Sequence, residues 1–127
     1  MTMSSHSRPV FLNLLQIRLP VAGIMSIAHR AAGVLLFLSI PFLAALLSVA
    51  LSGQAGFLQA QTLLKQPIMQ VILFLLLWAL FHHFLAGIRY LLIDVHLGVQ
   101  APRYQQTAWA VLILSPVLAL LLLWGLW

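Results

Sequence analysis

Two short stretches carry side chains able to do chemistry. The first is Ser26-Ile27-Ala28-His29-Arg30. Residues four apart on an α-helix share a face, so Ser26 and Arg30 lie together, and Ser26, His29 and Gly33 follow nearly the same stripe. A hydroxyl, an imidazole and a guanidinium converging on one side can hold a carbonyl oxygen or the carboxylate of a bound cofactor. The second stretch is His82-His83-Phe84-Leu85-Ala86-Gly87-Ile88-Arg89-Tyr90. On a helix it divides into two stripes, one of His83, Gly87, Tyr90 and Asp94, the other of His82, Ala86, Arg89 and Ile93. Imidazole is a haem iron ligand. Adjacent histidines point to different faces, so at most one of this pair serves a given haem. Gly87, one turn from His83, removes bulk where a flat cofactor would approach. The alternative role for a histidine here is a hydrogen bond to a neighbouring helix, and for Arg30 it is snorkelling back to lipid headgroups.

The elements that position these groups follow from composition. The chain has 127 residues, 64% of them hydrophobic and only 6% charged, with six Lys or Arg against one acidic residue and no Cys. A soluble domain carries about 25% charged residues, so seven formal charges cannot clothe a soluble globule of this size. A disordered chain is polar, which this one is not. Without Cys there is no disulfide framework, no Cys-ligated zinc and no self-contained iron–sulfur cluster. One carboxylate excludes paired-acid catalysis. The net charge of +5 comes from cations spread singly, which favours lipid headgroups or a buried anionic group over nucleic acid as the anionic partner.

Three segments lack charge: residues 31 to 64, apolar to about Leu51; residues 66 to 88, with an apolar continuation to Ile93; and residues 104 to 127. Roughly 20 apolar residues of helix cross the hydrocarbon core, and backbone polar groups in lipid must pair within their own segment. The chain therefore reads as an all-α membrane protein with three transmembrane helices. Pro20 and Pro67 can each open a helix, and Gly98 can stop one. The expected organisation is an arm over residues 1–20, helices over 21–51, 67–97 and 107–127, a loop over 52–66 and a polar connection over 98–106. The Gln-containing loop has room for an amphipathic turn. Pro41 and Pro116 fall inside helices, where kinks are expected. Arg8, Arg18 and Arg103 lie on one side and Lys65 on the other, so the N-terminus is expected in the cytoplasm and residues 52–66 in the periplasm. Met1 to Leu19 lacks the apolar run of a signal peptide.

Depth connects the two clusters. Counted at ~1.5 Å per residue, Arg30 lies roughly 13 Å and His83 roughly 20 Å from the cytoplasmic ends of their helices. The third helix has no His, so a haem with two axial imidazoles would take its second ligand from another chain.

The residues Arg8-Pro9-Val10-Phe11-Leu12-Asn13-Leu14, Ile17-Arg18-Leu19-Pro20, and Ser26-Ile27-Ala28-His29-Arg30 with Gly33 resemble the N-terminal signature of the family of succinate dehydrogenase cytochrome b556 subunits. The stretch from His83 through Gly87-Ile88-Arg89 to Asp94 resembles that family's second signature, and the resemblance covers most of the chain. It implies one of two membrane anchors in a heterodimeric helical bundle, assembled with an iron–sulfur protein and a flavoprotein that oxidises succinate. By the same resemblance His83 is an axial ligand of haem b, and the second anchor supplies the other. Ser26 and Arg30 match ubiquinone-site positions. His29 and Arg30 match positions near the haem propionates, as does Tyr90, where some members carry His; tyrosine can donate a hydrogen bond but carries no positive charge. The implied function is electron transfer from succinate to ubiquinone in respiratory complex II of a bacterial inner membrane. The alternatives are the anchor of a fumarate reductase and a small transporter or assembly subunit without haem.

Overall fold

The computed structural model describes residues 18–126. The signature residues Arg8 to Ile17, most of the N-terminal arm and Trp127 lie outside the described residues. Four helices follow one another: α1 (Val21–Leu51), α2 (Gln54–Leu64), α3 (Pro67–Asp94) and α4 (Arg103–Gly125). Among the described residues there is no strand. Helices α1, α3 and α4 are long and apolar enough to cross a membrane. They alternate in direction, so α1 begins, α3 ends and α4 begins at the same end of the bundle.

Pro20 sits just before α1 in an extended conformation, and its carbonyl accepts the first bonds from the Gly23 and Ile24 N–H groups. With 31 residues, α1 is about 46 Å long, well beyond a hydrocarbon core of ~30 Å. The surplus is used by α2, which folds back against the far end of α1. Residues 52–66, expected as a loop, therefore contain an 11-residue helix. Glutamine, leucine and alanine are good helix formers, and glycine is confined to the start of this segment. Gly56 is buried against α1, where a Cβ would meet the Ser52 side chain and the Val49 carbonyl. Only glycine allows that approach.

Two boundaries depart from the sequence expectation. Helix α3 ends at Asp94, short of Leu97. His96 adopts φ 63°, and the N–H groups of His96 and Leu97 bond back to the carbonyls of Ile93 (2.9 Å) and Leu92 (2.8 Å). This is a Schellman ending with histidine at the left-handed position; Gly98 makes the next turn. Helix α4 starts at Arg103, ahead of Thr107, with Gln105 and Gln106 donating to the Pro102 carbonyl. Its first turn is polar but still helical.

Small side chains line the packing faces. Helix α3 buries Ala79, His82, Ala86 and Arg89; α4 buries Ala108, Val111, Ser115 and Ala119; α1 buries Ala22, Met25, Ala32 and Ser39. These spacings of three, four and seven trace one face of each helix. Each spanning helix touches the other two. Lipid tails are as apolar as leucine, so helices in lipid are held by close packing of small residues and by polar bonds. Ala22, Met25, Ala86, Ala108 and Val111 form one buried cluster near the end that carries Pro20.

Candidate functional site

The two adjacent histidines of α3 have opposite fates. His82 points into the bundle and is fully buried. Its Nε2 lies 3.3 Å from the Met25 carbonyl oxygen of α1, and its Nδ1 lies 3.1 Å from Ser115 Oγ of α4. A carbonyl only accepts, so Nε2 donates; in the neutral ring Nδ1 then accepts from the Ser115 hydroxyl. Ser115 Oγ also lies 2.8 Å from the Val111 carbonyl, so its single hydroxyl proton is shared between that carbonyl and His82 Nδ1. Both nitrogens of His82 are engaged within the chain, and neither offers a free lone pair to a metal.

His83 lies on the neighbouring face and is half-buried. Its Nδ1 is 3.2 Å from the His29 carbonyl oxygen of α1 and so donates to it. In the neutral ring this leaves Nε2 unprotonated. Metal-bound imidazoles are set up this way, one nitrogen donating to a carbonyl or carboxylate and the other ligating. The His29 ring stacks on the His83 ring, with centroids 4.2 Å apart and planes 11° from parallel. Tyr90 meets His29 edge-on at 5.3 Å. Gly33 makes room for the arrangement: a Cβ there would lie 3.0 Å from Cε1 and 3.3 Å from Nδ1 of His83. At Gly87, one turn along α3 from His83, a Cβ would meet nothing within 4 Å, so that position on the His83 stripe is open.

These features fit a haem. A porphyrin brings four nitrogens of its own and asks the chain for one unprotonated imidazole nitrogen beside open space. Among the described residues no three His, Asp or Glu side chains converge to hold a bare metal ion. The structure thus gathers His29, His83 and Tyr90 into one aromatic group. Ser26, half-buried, and Arg30, exposed, flank His29 on α1. Among the described residues neither hydrogen-bonds to the stacked rings.

Arg89 is 5% exposed and closes the α3–α4 contact. Its Nε donates to Thr107 Oγ1 and its Nη2 to the Tyr104 carbonyl, both at 3.0 Å, and its guanidinium lies 4.7 Å from the Tyr104 ring centroid. Asp94 is exposed at the end of α3. Sequence reasoning missed Ser115 and the Met25 carbonyl. The first had a readable signal, because a lone hydroxyl in an apolar span commonly bonds across helices; a backbone acceptor leaves none.

The chain matches a model of the succinate dehydrogenase/fumarate reductase transmembrane subunit family over residues 4–122. It is 32% identical over 121 residues to a protein of Coxiella burnetii named succinate dehydrogenase cytochrome b556 subunit, covering 94% of this chain and 95% of that one. Proteins of the same name from Paracoccus denitrificans and Rickettsia bellii are each 32% identical, over 117 and 121 residues. Those matches cover 92% and 94% of this chain, and 90% and 92% of theirs.

Proposed function

The chain belongs to the succinate dehydrogenase/fumarate reductase transmembrane subunit family, and from that premise we propose that it anchors a succinate:ubiquinone oxidoreductase in a bacterial inner membrane. Its partners are a second membrane anchor, an iron–sulfur subunit and a flavoprotein. It does not oxidise succinate itself, having no cysteine for cluster ligation and no nucleotide motif. The N-terminus faces the cytoplasm.

The observation that carries this reading is the division of labour between His82, spent inside the bundle, and His83, whose Nε2 is left for a ligand. His83 would hold haem b through Nε2, and the second anchor would supply the other protein ligand. Haem b supplies one-electron redox chemistry when bound. The His29 carbonyl holds the His83 proton at Nδ1 and keeps Nε2 free, while the His29 ring fixes the plane of the imidazole. Arg30 and His29 supply charge-assisted or neutral donors to the haem propionates, with the Tyr90 hydroxyl as a further neutral donor. Ubiquinone is the substrate. Ser26 donates a hydrogen bond to a quinone carbonyl, and Arg30 stabilises negative charge as it develops on the oxygens. The relatives' names favour the succinate-oxidising direction over a fumarate reductase.

A reduced-minus-oxidised optical spectrum of the purified complex tests the reading. A b-type band is expected, lost in His83→Ala and retained in His82→Ala; equal loss from both would refute the ligand assignment. Ser26→Ala and Arg30→Leu are each expected to lower quinone reduction by roughly tenfold, the effect of losing one charge-assisted or buried hydrogen bond. Succinate oxidation by an artificial dye should continue. Unchanged quinone turnover in both variants would count against the site.

A further inference from the structure

The largest of the fully buried side chains in the described bundle belong to Met25, His82 and Ser115. They come from α1, α3 and α4, and they meet at one point. His82 reaches the Met25 carbonyl on one side and Ser115 Oγ on the other. Its neighbour His83 reaches the His29 carbonyl. Met25 and His29 are four residues apart, so adjacent imidazoles of α3 grip two carbonyls of α1 that stand one helical turn apart.

We infer that His82 is a positioning residue: together with Ser115 it fixes the depth of α1 against α3, and so holds Ser26, His29 and Arg30 level with His83. The physics of helix pairs in lipid calls for such a device. Apolar contact alone sets depth weakly there, because lipid replaces a lost apolar contact at little cost. The buried residues of α1 are two alanines, one serine and one methionine, so few large side chains key it into a particular register. A hydrogen bond in a low-dielectric interior is strong and directional, and a buried polar group left without one is costly. The His82 bond ends on the residue immediately before Ser26, so a slip of α1 displaces the quinone hydroxyl directly. Ser115 holds the other nitrogen and adds α4 to the joint. Without that hydroxyl the ring would be held from one side only.

The inference rests on the roles proposed above for His83 and Ser26. The His83→Ala spectrum and the Ser26→Ala quinone turnover test those roles separately, and the variants below then test positioning alone. The assembled complex is prepared as wild type, His82→Phe, His82→Gln and Ser115→Ala. Haem content, the electron paramagnetic resonance g-values of the oxidised haem, and KM and kcat for a short-chain ubiquinone are measured. His82→Phe keeps an aromatic ring, slightly larger than imidazole, and loses both bonds. It is expected to raise the quinone KM roughly three- to tenfold, the scale of a sub-ångström to ångström misplacement, and to shift the g-values while haem content is kept. His82→Gln has an amide N–H long enough to reach the place of Nε2 and is expected to recover most of the KM. Ser115→Ala is expected to fall between wild type and His82→Phe. A wild-type KM and unshifted g-values in His82→Phe would overturn the inference. So would a His82→Gln variant no better than His82→Phe, since the histidine would then act by filling space. Should His82→Phe fail to assemble, Ser115→Ala carries the same readouts, and wild-type values in it overturn the inference equally.

Discussion

Neighbours on a helix are turned about 100° apart, and at His82 and His83 that turn separates a structural imidazole from one available as a ligand. The separation depends on Gly33. A Cβ at that position would press on Cε1 and Nδ1 of His83 at 3.0 and 3.3 Å, close enough that one of the two must move. His83 is also held by the His29 carbonyl and the His29 ring, so it yields only by losing the bond that keeps Nε2 free. Gly33→Ala is therefore expected to lower haem occupancy of the purified complex several-fold, and Gly33→Leu to abolish it, as read by a haemochrome assay. Full occupancy in Gly33→Leu would show that His83 does not need this pocket. Much at this scale was legible in the sequence. The division of α3 into a stripe with His83, Gly87 and Tyr90 and a stripe with His82, Ala86 and Arg89 follows from spacing alone. Which stripe turns inward does not, because both carry polar groups and the deciding partners are a backbone carbonyl and a serine 33 residues away.

Helix termini were less legible than helix faces, and α3 shows why. Glycine is the usual residue at the left-handed position of a helix end, so Gly98 was the natural stop; the chain instead uses His96 at φ 63°. Left-handed backbone costs an ordinary L-residue roughly 1–2 kcal/mol, and histidine tolerates it better than most. His96→Gly should therefore stabilise the detergent-solubilised protein by about 1 kcal/mol in denaturant titration, and the β-branched His96→Val should destabilise it by at least as much. The same outcome for both variants would mean that the turn is not held as described. The far side of the connection depends on Arg89. One guanidinium reaches Thr107 and Tyr104 and covers the Tyr104 ring. An ammonium cannot reproduce that planar geometry, so Arg89→Lys should lower stability by about 1–3 kcal/mol, the cost of leaving buried partners unmet. Equal stability of Arg89→Lys and the parent would reduce this contact to packing. Helix α2 stayed hidden in the sequence because Gly53, Gly56 and the glutamines that follow read as loop, and its place is set by a close approach at Gly56 that only the folded chain makes visible.

The molecule as a whole is clothed for lipid. Phe37, Leu51 and Trp124 are 71%, 75% and 84% exposed, a surface that water would not tolerate at this density. Its few charges lie mostly toward one end. Arg18 precedes α1 and Arg103 opens α4 at the end where α3 terminates, whereas Lys65 follows α2 at the other end. With Arg8 included, three cations in the arm and second connection oppose one in the α2 segment, and cytoplasmic loops retain the positive excess. The proposed orientation thus rests on a difference of two charges. An alkaline phosphatase fused to the C-terminus should be active and a green fluorescent protein dark, because the proposed orientation has α4 run toward the periplasm. The narrow margin makes the argument testable from the other side. Gln54, Gln59 and Gln61 are exposed on α2, so Gln54→Arg, Gln59→Arg and Gln61→Arg together change surface charge without touching the packed face. They turn three against one into three against four, and a substantial fraction of chains should then insert inverted, with fluorescence appearing and phosphatase activity falling. If the triple variant kept the parent's topology, loop charge would not be what orients this chain, and docking against the partner subunits would have to set its direction instead.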